Sequence, residues 1–275
     1  SPPATSQRSA TPTVRPSQTP QAVLRGQWRE ETFESRTLNR RMPYLVWLPP
    51  GYPAAGKRYP VLYLLHGGGD GVNPGRAEWR ALGLAEALDQ AVAAGELPST
   101  IVVLPEGLQG YWINHANGGP RWADYVVADV VPHIDGTYVT DARPEKRAIG
   151  GLSMGGHGAL QLALRHPQLF RIAGAHSPSL REHKESPPFF GDPTWFARFD
   201  PLALARASRE ASKLRVWLDV GQQDRWREDV EQVAEALEKA GARVERRIFP
   251  GSHDGAYWRT HLRDYLKFYG SALGR

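Results

Sequence analysis

The sequence contains no cysteine. That absence removes disulfide frameworks, thiolate nucleophiles, CxxC redox chemistry and cysteine zinc sites at once. Lysine is scarce too, with 6 against 28 arginines, and the 34 basic residues are interspersed with 29 acidic ones instead of gathered in runs. The net charge of +5 therefore forms no basic stripe, and no nucleic-acid partner is expected. No apolar stretch reaches the roughly 18 residues that a membrane span needs, and the helical stretch 81–94 carries Glu86 and Asp89. Also missing are GxxxxGK[ST], HExxH and EF-hand patterns, and the glycine-rich run 67–71 lacks the GxGxxG order.

What remains has the composition of a globular protein, 41% hydrophobic and 23% charged. Residues 1–20 stand apart, with thirteen Ser, Thr or Pro and three apolar side chains, too few to offset the entropy of ordering them. The expected organisation is a disordered tether over 1–26 and a single catalytic domain over 27–275. Such a tether fits the segment that follows a secretion signal, so a secreted or periplasmic location is expected. The lack of cysteine fits export and the cytoplasm equally.

From residue 27 onward, short apolar runs alternate with amphipathic stretches. Strands are expected at 31–38 and 42–48 as an opening antiparallel pair, then at 59–65, 100–104, 147–150, 172–175, 214–220 and 244–249. Helical spacing appears at 82–93, 122–134, 156–165, 228–240 and 257–268. This alternation implies an α/β fold, a mostly parallel sheet with helices on both faces. The segment 177–213 breaks the rhythm and is expected to be an insertion at the rim of the site. Ligands of such sheets bind beyond the carboxyl ends of the strands, so residues that directly follow strands are the candidates for chemistry.

After the strand at 147–150 comes Gly151-Leu152-Ser153-Met154-Gly155, followed at once by helical spacing. This is the context of a nucleophile elbow, where a tight strand-to-helix turn exposes a strained serine and tolerates only small flanking residues. The helix amino terminus also offers N–H groups and a positive dipole end to a developing oxyanion. A second glycine loop, His66-Gly67-Gly68-Gly69-Asp70, follows the strand at 59–65 and suits the companion side of an oxyanion hole. The preferred donors are the N–H groups of Met154 and Gly68, with Gly67 as the alternative, and His66 is read as shaping the loop.

A serine hydroxyl needs a base, and the base needs a carboxylate to orient it. The acid is expected next in the chain and the histidine last. Asp224 lies in the loop after the strand at 214–220 and is the preferred acid, with Asp219 as its main rival and Asp229 and Asp254 behind. His253, in the Gly-bounded loop Gly251-Ser252-His253-Asp254-Gly255, is the expected base. His176, directly after a strand, is its rival, while His157, His166 and His261 read as helical packing or surface residues.

The elbow with its upstream Arg147-Ala148-Ile149, the loop Leu65-His66-Gly67-Gly68-Gly69, the stretch Asp129-Val130-Val131-Pro132-His133-Ile134-Asp135, the acid loop and Gly251-Ser252-His253 together resemble an esterase group of α/β-hydrolases. That group includes esterase D, the feruloyl and acetylxylan esterases of carbohydrate esterase family one, enterochelin esterases and mycolyltransferases. The resemblance implies an α/β-hydrolase fold, a triad of Ser153, Asp224 and His253, oxyanion N–H groups on Gly68 and Met154, and no metal or organic cofactor. The exported-looking tether departs from the cytosolic esterase D members that hydrolyse S-formylglutathione.

The aromatics Tyr111, Trp112 and Trp122 follow one strand, and Phe189, Phe190 and Trp195 sit in the inserted segment, near the serine's end of the sheet. Flat rings there could stack on a sugar or a phenolic acyl group. Covering the core accounts for each of them equally well. The expected activity is a serine carboxylic ester hydrolase acting through an acyl-enzyme on feruloyl, acetyl or other aryl or short acyl esters. Its expected partner is a small-molecule or polysaccharide-linked ester, and its state a monomer or small homo-oligomer. The alternatives are an acyltransferase of the mycolyltransferase type and a non-catalytic carbohydrate-binding relative.

Overall fold

The computed structural model describes residues 25–69 and 75–274. The expected tether therefore lies outside the described residues except for Arg25 and Gly26, as does Asp70 of the glycine loop.

Eight strands form one sheet in the order β1-β2-β4-β3-β5-β6-β7-β8. The hairpin β1 (Gln27–Ser35) and β2 (Arg40–Leu48) opens the chain, and β2 pairs antiparallel with β4 (Ile101–Pro105). The remaining pairs, among β3 (Val61–Leu65), β4, β5 (Arg147–Leu152), β6 (Ile172–His176), β7 (Arg215–Gly221) and β8 (Arg243–Phe249), are all parallel. From β3 the chain steps to β4 on one side and then crosses back to β5 on the other. The carboxyl ends of β3 and β5 thus flank the point where strand order reverses, the place where such sheets hold ligands.

Alternation along the strands builds two cores. Val61, Tyr63 and Leu65 face one, and Leu62 and Leu64 face the other. The first face is covered by α3 (Trp122–Asp124), α4 (Val131–Thr137), α5 (Met154–Arg165), α7 (Pro201–Ala207) and α8 (Arg227–Lys239). The second is covered by α1 (Glu78–Ala81), α2 (Leu84–Ala93) and α9 (Gly255–Leu273). With both faces covered, the inner strands are buried along their whole length, which explains their nearly unbroken apolar runs.

Three expectations are refined. The helix read at 82–93 is α2, which starts only after Gly83 at φ 94°, and the separate turn α1 precedes it. The helix read at 122–134 contains a π-helical turn, Tyr125–Val130, directly ahead of Pro132, whose missing N–H interrupts the regular ladder. The run at 244–249 is a largely exposed edge strand studded with Glu245, Arg246 and Arg247, charges that discourage edge-to-edge pairing. Segment 177–213 holds α6 (Pro193–Ala197) and α7, each started by an aspartate cap, with short 3-10 turns before them. Among the described residues no helix is long and apolar enough to cross a membrane.

Candidate active site

The register of the sheet lines up the strand ends. Leu65 pairs with Gly151, Leu152 with His176, and His176 with Asp219, so the loops that follow all emerge along one edge. Ser153 is the single residue between β5 and α5, at φ 52° and ψ −117°. That conformation is costly for a residue with a Cβ and persists where the surroundings dictate it. Here they do: a Cβ on Gly151 would lie 2.2 Å from the Gly155 carbonyl, and one on Gly155 would lie 2.2 Å from the Leu65 carbonyl. The Ser153 N–H donates to the His176 carbonyl at 3.1 Å, and its own carbonyl accepts from Gly156 and His157 at 3.0 and 3.1 Å. Met154, as the first residue of α5, has an N–H with no carbonyl one helical turn back.

The glycine loop abuts this elbow. A Cβ on Gly67 would come within 3.3 Å of the Ser153 Cβ. The Gly67 N–H, the alternative donor, is engaged, donating to Glu78 Oε2 at 2.6 Å. Gln109 fixes the Gly68 peptide by donating to its carbonyl. His66 is buried beneath the loop, with Nδ1 2.7 Å from the Gly67 carbonyl and Nε2 2.9 Å from the Gly107 N–H and 3.2 Å from Glu106 Oε1. Burial opposes the charge on Glu106, but bonds to His66 and the N–H groups of Leu108 and Arg76 outweigh it and hold the carboxyl at about 2.

Across the elbow, His253 Nε2 stands 2.8 Å from Ser153 Oγ, and its Nδ1 stands 2.8 Å from Asp224 Oδ2. The acid and histidine loops are tied together: the Gln222 N–H donates to the Phe249 carbonyl, the Gln223 N–H to the Gly251 carbonyl, and the Gly251 N–H back to Gln223 Oε1. Asp224 Oδ1 accepts from the Trp226 N–H at 2.9 Å, and Oδ2 also accepts from Ser177 Oγ. Burial works against this carboxylate, yet the bonds from His253, Ser177 and Trp226 prevail and keep it below its usual range. The His253 side chain is 27% exposed, while that of Asp224 is fully buried. Trp258 presents its ring edge-on to the imidazole, with centroids 5.1 Å apart.

The rivals go elsewhere. Asp219 and His176 pair with each other at 2.9 Å, both fully buried. Asp254 caps α9, accepting from the Tyr257 N–H at 2.9 Å. Asp229 sits in the first turn of α8. Burial and nearby Arg181 push His157 down to about 3, a poor proton acceptor. His166 is lowered as well, by burial, and His261 stacks on Phe249.

A cavity of about 710 Å³ opens at Ser153, lined by Gly68, Glu78, Ala81, His253, Gly255 and Trp258 among the described residues. A second, of about 480 Å³, adjoins it across Gly68 and Gly69 and is lined by Arg40, Met42, Leu108 and Gln109. The aromatics singled out above lie apart from these linings. Trp112 is wholly buried, with its indole N–H on the His66 carbonyl and its ring against Gly158. Trp122 is buried against Gly110, and Tyr111 is held by Ser179 and Arg181. Phe189 and Trp195 are half-buried in the inserted segment, Phe189 stacked on His115 and Trp195 bonded to the Asn114 carbonyl. Trp258, in contrast, was not anticipated; its only sequence signal is its place one helical turn past His253. Among the described residues no group of three or more His, Asp or Glu is arranged to hold a metal ion.

The fold is that of the α/β-hydrolases, and at its strand ends Ser153, His253 and Asp224 stand in one line of hydrogen-bonding contacts. The family profile described as "Putative esterase" matches residues 35–269. The chain belongs to that esterase family. Esterase Rv1288 of Mycobacterium tuberculosis is 35% identical over 136 residues, 48% of this chain and 28% of that protein. An endo-1,4-beta-xylanase/feruloyl esterase of Xylanibacter ruminicola is 29% identical over 245 residues, 86% of this chain and 29% of that protein. The chain thus spans under a third of the length of these two relatives. A ferulic acid esterase structure superposes with a TM-score of 0.80 at 23% identity, covering 90% of this chain and 99% of that one, a likeness of fold.

Proposed function

We propose that the chain is a carboxylic ester hydrolase whose triad is Ser153, His253 and Asp224. The observation that carries this reading is the continuous relay of two 2.8 Å contacts from Ser153 Oγ through the imidazole to Asp224 Oδ2. His253 Nε2 takes the hydroxyl proton as Ser153 Oγ attacks the ester carbonyl, and the Nδ1–H held by Asp224 fixes the tautomer that makes this possible. The tetrahedral oxyanion is received by the N–H groups of Met154 and Gly68, at the positive end of α5. Collapse expels the alcohol with the proton from Nε2, and water repeats the cycle on the acyl-enzyme.

Feruloyl, acetyl or other aryl and short acyl esters, free or polysaccharide-linked, are the proposed substrates. The names of the similar proteins support this, as do the cavity of about 710 Å³ at Ser153 and the Trp258 ring on its wall. Catalysis is assigned to residues 27–275. The Ser/Thr/Pro-rich composition of residues 1–20 supports work outside the cytoplasm.

A panel of methyl ferulate, acetylated xylan and a short-chain aryl ester, run on the wild type and Ser153→Ala, tests the reading. Turnover of at least one ester should disappear in the variant while its circular dichroism and melting stay unchanged. Undiminished hydrolysis by folded Ser153→Ala would refute it.

A further inference from the structure

Two serines at the carboxyl edge of the sheet have left-handed backbones, Ser153 at φ 52° and Ser177 at φ 48°. Glycine is the unstrained choice at such a position, so a serine held there is retained at a conformational cost. For Ser153 the reason is its hydroxyl, which meets His253 Nε2. For Ser177 the hydroxyl meets the other end of the same relay. It donates to Asp224 Oδ2, the very oxygen that receives His253 Nδ1.

Ser177 is wholly buried, and its N–H is anchored on the Asp219 carbonyl at 2.8 Å. The residue before it, His176, is locked by Asp219 at Nδ1 and by the Tyr269 hydroxyl at Nε2, at 2.9 and 2.8 Å. Its carbonyl accepts from the Ser153 N–H and from Trp258 Nε1, whose ring flanks His253. The strand end His176-Ser177 therefore touches or backs all three members of the relay.

We infer that Ser177 is a positioning residue, whose buried hydroxyl fixes the plane of the Asp224 carboxylate so that Oδ2 faces His253 Nδ1. The Trp226 N–H holds Oδ1 and Ser177 holds Oδ2, so the carboxylate is pinned at both oxygens before the imidazole arrives. Without the hydroxyl it is pinned at one and can turn about its last torsion, so the imidazole is less well oriented as charge develops on it. The inference rests on the reading of Asp224 as the triad acid.

The test compares wild type, Ser177→Ala, Ser177→Gly and Ser153→Ala on a short-chain aryl ester. Removal of one bond to a buried carboxylate should lower kcat roughly tenfold in both Ser177 variants, with KM within about twofold. The downfield proton resonance of His253 Nδ1–H should move or broaden in both. Glycine relieves the left-handed strain and alanine keeps it, so a purely backbone role predicts that the two differ in melting temperature and neither loses kcat. Unaltered kcat and an unmoved resonance in the Ser177 variants, with Ser153→Ala inactive, would overturn the inference and leave the triad standing. Full activity in Ser153→Ala would overturn both.

Discussion

Two His–Asp couples lie side by side at the end of this sheet, and they have opposite surroundings. In His253–Asp224 the imidazole is partly exposed, its distal nitrogen faces a serine hydroxyl, and a cavity opens beside it. In His176–Asp219 both side chains are sealed from solvent, and the distal nitrogen is capped by the Tyr269 hydroxyl. Asp219 also accepts from Tyr257, Tyr265 and Trp217, so its carboxylate is saturated with donors. Burial first, and the Asp219 charge next, raise Tyr257 and Tyr265 well above the ordinary phenol value, so both remain donors. The same pair of groups is therefore poised to move a proton in one place and to cement a strand end in the other. What stands at the second nitrogen decides which.

The largest effect should come from the outer couple. His253→Ala is expected to lower kcat by about 10⁵-fold, and Asp224→Asn by about 10⁴-fold, in steady-state assays of protein whose melting is nearly unchanged. On the inner couple, Asp219→Ala should instead cost about 3 to 5 kcal/mol of stability in urea titrations, because it strands buried donors. An Asp219→Ala protein as stable as wild type but as inactive as Asp224→Asn would erase the distinction.

A third contact, His66 with Glu106, extends the comparison to pH. The Glu106 carboxyl is held at about 2, below its ordinary 4.5, so its stabilising contribution is full above pH 4.5 and is lost as pH falls towards 2. Glu106→Gln should accordingly lower stability at neutral pH and flatten its decline across that interval, as read by melting at stepped pH. The smallest change is expected at the rim. Trp195→Ala should alter KM for methyl ferulate by no more than about two- to threefold and leave kcat alone.

The elbow was legible because its requirement is local: glycines two residues either side of a serine, between a strand and a helix. The histidine loop was legible for a similar reason, being a Gly-bounded turn after the last strand. The choice between Asp219 and Asp224 was not fixed by sequence, since the two lie five residues apart and only the register across β6, β7 and β8 shows which one reaches His253. The core aromatics misled for want of depth. Trp112 and Trp122 follow β4 as a substrate wall would, but the space above Gly158 and Gly110 draws their rings inward. Ser177 and Trp258 carried no pattern of their own, because each matters through partners distant in the chain.

The central claim is that the outer couple alone activates Ser153. Its most direct measurement is labelling with a fluorophosphonate followed by peptide mapping, in wild type and His253→Ala. The account predicts a single adduct, on Ser153, in the wild type and no adduct in the variant over the same interval. An adduct elsewhere, or equal labelling of both proteins, would contradict it.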